Sequence, residues 1–149
     1  MQNTLSLSQY VKRRNGVPIG ANRSMRNMLS RSLGARSFPE FWYYWNPIWA
    51  YYLSRNVMRP LCSFVPVWLA VFITFLVSGA LHDLAVSLVK WKTVLFFTPW
   101  FGLMGALVIA SKKYSISYGD FSWLVRVAIN LFIICVTLGL TYFVEDMYA

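Results

Sequence analysis

The sequence predicts an all-α integral membrane protein: a helical bundle of about three transmembrane helices, joined to an amphipathic helical segment at the membrane interface. Of the 149 residues, 58% are hydrophobic and 18% aromatic, whereas only 13% are charged. That composition is typical of membrane proteins. Long apolar runs fill the second half of the chain, and most Lys and Arg residues precede them. A basic flank of this kind usually stays on the cytoplasmic side.

Residues 1–36 are basic and serine-rich, and several glycines interrupt them. This pattern predicts a loosely ordered cytoplasmic arm, and it lacks the continuous apolar core of a signal peptide. The formal net charge of +9 raises the question of nucleic acid, but no nucleic-acid-binding motif accompanies it. Basic residues beside an apolar block are better explained by attraction to anionic lipid headgroups. We therefore expect membrane lipids, and no nucleic acid, as partners.

Residues 37–62 predict aromatic helices that lie at the interface without crossing it. Ser37 followed by Glu40 matches a capping box. The helix that begins there is expected to break at Pro47 and to end before Pro60. A plain membrane anchor would explain the aromatic residues equally well, but it would not explain the break. Aromatic rings with one polar edge prefer the membrane–water boundary, and the rings here are Phe41, Trp42, Tyr43, Tyr44, Trp45, Trp49, Tyr51 and Tyr52.

Residues 63–149 contain three candidate transmembrane helices, at about 64–89, 93–110 and 127–144. The second is short and holds one proline and two glycines, which predicts a kink or close packing. Basic residues orient the set, because only Lys90 and Lys92 fall between the first two candidates. This distribution predicts a multi-pass protein with a cytoplasmic N-terminus. Nine basic residues precede the first candidate: Lys12, Arg13, Arg14, Arg23, Arg26, Arg31, Arg36, Arg55 and Arg59.

His82 is the only histidine in the chain, and it interrupts the first candidate span. An ionisable side chain costs at least a few kcal/mol inside a membrane, so it usually marks a site or a pathway. Thr74, Ser78 and His82 are four residues apart and share a helix face, whereas Asp83 points about 100° away. A packing hydrogen bond to a neighbouring helix would also explain a polar residue here. The residues alone leave both interpretations open.

The chemistry available near His82 is narrow. The sequence offers no second histidine, no pair of intramembrane carboxylates and no cluster of metal ligands. Cys62 and Cys135 are far apart and show no spacing typical of a metal site or a disulfide framework. A single imidazole suits general-base activation of a hydroxyl, or one step of a proton relay.

Two blocks of the sequence resemble the membrane-bound O-acyltransferase (MBOAT) family. The first is SFPEFWYYWN at residues 37–46, and the second is FITFLVSGALHD at residues 72–83. They occur in the order and at the spacing typical of that family. The asparagine that ends the first block and the acidic residue after the histidine resemble its wax-synthase, sterol and diacylglycerol acyltransferase branch. Family members are usually much longer, so the resemblance implies that this chain corresponds to their C-terminal half.

The resemblance implies transfer of an acyl group from an acyl thioester such as acyl-CoA to a hydroxyl of a lipid or hydrophobic alcohol. His82 would act as general base and Asn46 would assist catalysis near the thioester. Substrate contacts would come from Trp42, Trp45, Ser78 and Asp83. No bound cofactor or metal is implied, since the acyl thioester is itself a substrate. A homo-oligomer or a separate multi-span subunit would complete the substrate tunnel.

Two other functions fit the same sequence. A non-catalytic membrane subunit or scaffold, derived from a truncated acyltransferase, would keep the fold and use the aromatic helices as an anchor. A small proton-coupled transporter component would use His82 as a relay, but the other two candidate spans offer it no ionisable partner. The sequence names neither the acceptor nor the acyl chain length.

Overall fold

The computed structural model describes residues 4–148, so residues 1–3 and 149 of the predicted segments lie outside it. Every regular element in the described range is helical, which confirms the all-α class. The helices are α1 (Leu7–Asn15), α2 (Ser24–Leu33), α3 (Phe38–Tyr44), α4 (Pro47–Leu53), a π-helical turn (Ser54–Met58), α5 (Arg59–Leu61), α6 (Val67–Lys90), α7 (Phe97–Lys113) and α8 (Trp123–Tyr148).

The N-terminal segment differs from the loosely ordered arm that its composition predicts, because it contains α1 and α2. A reciprocal capping box begins α1: the backbone N–H of Gln9 donates to Ser6 Oγ, and the backbone N–H of Ser6 donates to Gln9 Oε1. The helix ends at Gly16, whose φ of 81° suits a residue without Cβ. The buried Asn15 amide then donates to the carbonyl oxygen of Ser24 at 3.0 Å. Local caps and this hydrogen bond order the segment.

The predicted start of α3 is confirmed, although only half of the expected capping box forms. The backbone N–H of Glu40 donates to Ser37 Oγ at 3.3 Å. The Glu40 carboxylate reaches one residue further back and accepts from the backbone N–H of Arg36. It also lies in the first turn of α3, where a negative charge favours the helix dipole.

The predicted break at Pro47 is also confirmed, since α3 ends at Tyr44 and α4 begins at Pro47. The prediction that this second helix ends before Pro60 is wrong. After α4 the chain continues through the π-helical turn into α5, which includes Pro60 and ends at Leu61. We attribute the difference to the π-helical turn, because i→i+5 hydrogen bonds replace the usual α-helical bonds just before the proline.

Two of the described helices, α6 and α8, are long and apolar enough to cross a membrane. They have 24 and 26 residues, and the most apolar 18-residue stretch of each has a mean hydropathy of 1.9 and 2.3, respectively. Only 22% and 17% of these stretches are buried inside the chain, so most of their surface faces outward. With 17 residues, α7 is about 26 Å long, which is shorter than the ~30 Å hydrocarbon core of a bilayer. The described range thus holds two span-length helices where three candidates were predicted.

The most extensive helix pair joins α6 to α7, and Gly79 makes their close approach possible. A Cβ at Gly79 would lie 2.6 Å from the carbonyl oxygen of Phe97 and 2.7 Å from Thr98 Cα. Both neighbours are backbone atoms, so they cannot simply rotate away. Packing is equally close further along α7, where a Cβ at Gly105 would lie 2.9 Å from Phe75 Cβ. Gly79 of the first candidate and Gly105 of the short second candidate therefore both serve close packing of α6 against α7.

We expect Gly79→Ala to push the start of α7 away from α6, because one methyl group would overlap backbone there. Overpacking of this kind typically costs about 1–3 kcal/mol of unfolding free energy. Gly139→Ala in α8 is the matched control, since a Cβ at Gly139 meets nothing within 4 Å, and alanine favours a helix by about 1 kcal/mol. Thermal unfolding in detergent measures both. Equal loss of stability in the two variants would contradict this packing.

A buried amide ties the first half of the chain to α8. The Asn130 side chain is fully buried, and its Nδ2 donates to the carbonyl oxygens of Leu33 at 2.7 Å and Ala35 at 3.1 Å. The Tyr118 hydroxyl donates to Asn130 Oδ1. Burial raises the pKa of Tyr118 to about 12, so that hydroxyl keeps its proton and remains a donor. This network fixes the connection between α2 and α3, which places α3 over α7.

Candidate functional site

A cavity of about 290 Å³ opens between the N-terminal helices and the α6–α7 pair. Its walls come from α1, from α3 and α4, from the π-helical turn, and from α6 and α7. Aromatic and aliphatic side chains form most of its surface. Five of the six site residues predicted from the sequence line it, namely Trp42, Trp45, Asn46, Ser78 and His82. Residues separated by more than thirty positions in the chain thus meet at one place.

His82 presents one ring nitrogen to a backbone carbonyl within its own helix. Its Nδ1 lies 2.7 Å from the carbonyl oxygen of Ser78, one turn earlier in α6. A carbonyl oxygen only accepts hydrogen bonds, so this partner assigns the proton to Nδ1. In the neutral ring the lone pair then resides on Nε2, which has no hydrogen-bond partner among residues 4–148. An Nε2 in this state is ready to accept a proton from a ligand.

Three aromatic rings surround the imidazole. The ring centroid of His82 lies 5.0 Å from that of Phe101, 5.6 Å from that of Phe97 and 5.9 Å from that of Trp49. Phe97 and Phe101 belong to α7, whereas Trp49 belongs to α4. The imidazole is therefore held from two sides by neighbouring helices, and its rotation is restricted.

Trp49 also fixes the side chain of Ser78, which precedes His82 by one turn of α6. Its indole Nε1 donates to Ser78 Oγ at 2.9 Å, and Ser78 is only 4% exposed. Ser78 consequently accepts twice, through its hydroxyl from Trp49 and through its carbonyl from His82. Ser78 thus forms a hydrogen-bonded link between α4 and α6 at the cavity wall, and its substrate contact remains a prediction.

We expect Trp49→Phe to keep most of the ring packing and to lose the hydrogen bond to Ser78. A neutral hydrogen bond of this type contributes about 1 kcal/mol, and leaving the buried hydroxyl without its donor adds a similar cost. Trp68→Phe is the matched control, since Trp68 lies in the same helix as Ser78 and is 57% exposed. Chemical unfolding compares the two variants. A loss of stability no larger for Trp49→Phe than for Trp68→Phe would contradict the assignment.

Asn46 lines the cavity and shapes the backbone between α3 and α4. Its φ of 40° lies in the left-handed region, and its Oδ1 accepts from the backbone N–H of Trp49 at 3.2 Å. Asn46 is thus the N-cap of α4, which explains the break before Pro47. The cap occupies only the side-chain oxygen. The Nδ2 group has no hydrogen-bond partner among the described residues and remains able to donate.

Trp42 and Trp45 form one wall of the cavity through stacked and edge-to-face contacts. Trp45 stacks on Phe41 at 5.4 Å, and Trp42 meets Phe75 edge-on at 5.1 Å. The indole Nε1 of Trp42 is buried without a hydrogen-bond partner in residues 4–148. An unpartnered buried donor costs about 1–3 kcal/mol. The packing of this wall thus leaves one buried donor unpaired.

The cavity does not match the predicted substrate contact of Asp83, because Asp83 does not line it. The carboxylate is 5% exposed and caps the start of α7. Its Oδ1 accepts from the backbone N–H groups of Phe96 at 2.9 Å and Phe97 at 2.7 Å. Its Oδ2 accepts from the backbone N–H of Thr98 at 2.8 Å and from Thr98 Oγ1 at 2.6 Å. Four donors occupy both oxygens, so the role of Asp83 here is structural.

The rim of the cavity is cationic. Arg14 of α1 and Lys112 of α7 both line it, and no Asp or Glu does. The Arg14 guanidinium lies 4.3 Å from the ring centre of Tyr10 and 4.2 Å from that of Tyr43. The buried hydroxyl of Tyr10 has no hydrogen-bond partner among residues 4–148, and burial raises the pKa of Tyr10. Arg14 and Lys112 are therefore the two cationic side chains that the cavity offers to an anion.

Sequence reasoning did not find Trp49, Arg14 or Lys112 as residues of the site. Trp49 was readable, since it belongs to the same aromatic block as Trp42 and Trp45. Arg14 was hidden because its neighbour Tyr43 is 29 residues away and the arm was not expected to be helical. Nothing in the chain near Lys112 indicates which cavity it borders.

No protein-family model matches this chain, and no curated protein or solved structure matches it either. No three His, Cys, Asp or Glu side chains of the described range come together as metal ligands would. The MBOAT resemblance therefore depends on the two blocks at residues 37–46 and 72–83. In the structure those blocks supply the wall of one cavity and the imidazole beside it.

Proposed function

We propose that this chain is an integral membrane O-acyltransferase, or the catalytic portion of one. It transfers an acyl group from an acyl thioester such as acyl-CoA to a hydroxyl of a lipid or hydrophobic alcohol. One observation carries the proposal: the only imidazole of the chain borders an apolar, cation-rimmed cavity while its Nδ1 is occupied by Ser78. That arrangement suits a general base for a neutral hydroxyl in an apolar site.

In the proposed reaction the acceptor hydroxyl donates a hydrogen bond to Nε2 of His82. As the hydroxyl oxygen attacks the thioester carbonyl carbon, its proton passes to Nε2. The tetrahedral intermediate collapses with formation of the ester C–O bond and cleavage of the C–S bond. The departing thiolate takes the proton back from the imidazolium. The carbonyl of Ser78 keeps its hydrogen bond to Nδ1 throughout and holds the ring in one orientation.

The donor fits the polarity of the cavity walls. Arg14 and Lys112 at the rim suit the phosphates of coenzyme A, because no carboxylate among the lining residues competes for them. Asn46 supplies the free Nδ2 donor for the thioester carbonyl, where negative charge develops. The aromatic wall of Trp42 and Trp45 takes the acyl chain.

Membrane insertion is part of the proposal, with α6 and α8 as transmembrane helices and the N-terminus in the cytoplasm. The outward-facing apolar surface of both helices supports it, because a core helix of a soluble protein would be mostly buried. The concentration of Lys and Arg before α6 supports the orientation. Since no residue of α8 lines the cavity, we propose that a second copy or a separate multi-span subunit completes the acceptor tunnel.

One observation favours a non-catalytic membrane subunit as the second candidate. Both Asn46 and Asp83 have structural hydrogen bonds, as the cap of α4 and the cap of α7. A scaffold that had lost activity would still need these two caps to fold. Retention of the two sequence blocks is therefore compatible with either function. His82 distinguishes the two functions, because its Nε2 has no such structural partner in the described residues.

Release of free coenzyme A from a long-chain acyl-CoA tests the function. Membranes containing the chain receive a long-chain alcohol, a sterol or a diacylglycerol, and membranes without the chain serve as background. Release that depends on one of these acceptors, together with formation of its ester, is the expected result. Folded protein that releases no coenzyme A above background with any acceptor would favour the scaffold.

A further inference from the structure

The outer face of α2 and of the turn before it combines apolar and cationic side chains. Met25 is 65% exposed and Leu29 is 37% exposed, and they are four positions apart, so they lie on one side of the helix. Ile19, in the preceding turn, is 43% exposed. Arg23 and Arg26 are exposed beside them. We call these five residues the α2 face. No Asp or Glu occurs in residues 1–39.

The end of α2 lies against the beginning of α8. The indole Nε1 of Trp123 donates to the carbonyl oxygen of Ser30 at 3.2 Å. Asn130 Nδ2 donates to the carbonyl oxygen of Leu33 at 2.7 Å, two turns into α8. Because α8 is one of the two helices long and apolar enough to cross a membrane, these contacts set α2 beside the start of that helix. Leu124, in the first turn of α8, is 72% exposed, so the beginning of that helix also presents an apolar side chain.

We propose that the α2 face binds the anionic surface of the membrane, with Met25 and Leu29 at the boundary of the acyl chains and the arginines on lipid phosphates. An amphipathic helix with arginines flanking its apolar side binds a leaflet in this way. The positive charge selects anionic lipid over neutral lipid, and each arginine near such a surface contributes roughly a fivefold preference. The proposal depends on membrane insertion of α8 and is independent of acyl transfer.

Hydrogen bonds to α1 link α2 to the cavity. Asn15, at the end of α1, donates to the carbonyl oxygen and to the hydroxyl of Ser24 in α2. Arg31 of α2 donates to the backbone carbonyl oxygen of Arg14, whose guanidinium lies at the cavity rim. A leaflet that holds α2 therefore also holds the helix that carries Arg14 over the cavity.

Single-site labelling of the reconstituted chain tests the proposal. The background variant carries Cys62→Ser and Cys135→Ser, since both natural cysteines are exposed. An environment-sensitive fluorophore is attached at Met25→Cys or Leu29→Cys, with Ser8→Cys on the exposed side of α1 as the matched reference. Each protein is placed in bilayers of phosphatidylcholine alone or of phosphatidylcholine with phosphatidylglycerol, and lipids with a nitroxide high on the acyl chain act as quencher.

We expect the labels at positions 25 and 29 to be quenched more strongly in the anionic bilayer than in the neutral one, while the label at position 8 changes little. Replacing both Arg23 and Arg26 by Gln is expected to remove most of that difference, as is high salt, because the Debye length falls from about 10 Å at 0.1 M to about 3 Å at 1 M.

Two results would overturn the proposal. Labels at positions 25 and 29 that stay as solvent-exposed as the label at position 8 in both bilayers would show that lipid does not cover this face. Protection that rises with the number of protein copies per bilayer, and is indifferent to lipid charge, would assign the face to a second copy of the chain.

Discussion

Asp83→Ala is expected to detach the start of α7 from α6. The substitution leaves three backbone N–H groups and the Thr98 hydroxyl without their shared acceptor. With a cost of about 1–3 kcal/mol for each unsatisfied buried group, partly relieved by water, we expect a loss of about 3–6 kcal/mol in unfolding free energy. Activity is expected to fall as well, because Phe97 and Phe101, which flank the His82 ring, follow this cap.

Asp83→Asn is expected to fall between the natural protein and Asp83→Ala. Its Oδ1 still accepts from Phe96 and Phe97, but its NH₂ group meets the N–H donor of Thr98. Asp146→Ala, at the exposed end of α8, is the matched control and is expected to change stability by less than about 0.5 kcal/mol. Unfolding in detergent, followed by circular dichroism, measures all three. Asp83→Ala as stable as Asp146→Ala would contradict the capping role.

His82→Ala is expected to lower the rate of acyl transfer by a factor of about 10²–10⁴, the usual contribution of a general base. Some stability is expected to be lost as well, because the ring packs against Trp49, Phe97 and Phe101. The rate with saturating acyl-CoA and acceptor, at equal amounts of folded protein, is the relevant measurement. Leu81→Ala is the control, since Leu81 neighbours His82 but is 41% exposed and does not line the cavity. Equal rates for the two variants would contradict the assignment.

Short-range patterns predicted the parts of the fold that depend on neighbouring residues. The start of α3 was readable from Ser37 and Glu40, and the helix break from Pro47, because both act within one turn. The capping box of Ser6 and Gln9 is equally local and would have revealed α1, but the basic composition of the arm concealed it. The long helix bearing His82 was predicted at 64–89 and extends over Val67–Lys90, since Pro66 delays its start.

The parts of the site that the sequence could not show depend on hydrogen bonds between residues that are far apart in the chain. The partners of Asp83 lie 13 to 15 residues further along the chain, so spacing could not distinguish a helix cap from a substrate ligand. Trp49 and Ser78 are 29 residues apart, as are Arg14 and Tyr43. Which helix faces reach the cavity depends on how α1, α4 and α6 pack together, and this packing is not encoded in any single periodic pattern.

The most direct test of the central claim uses the fact that His82 is the only histidine. Diethyl pyrocarbonate modifies a neutral imidazole, and the amount of carbethoxyhistidine is compared with the acyl-transfer activity that remains. Modification is expected to remove activity in proportion, and a non-hydrolysable acyl-CoA analogue is expected to slow both changes together. Protein that carries one carbethoxyhistidine per chain and still transfers acyl groups at its full rate would contradict the role of His82 as the catalytic base.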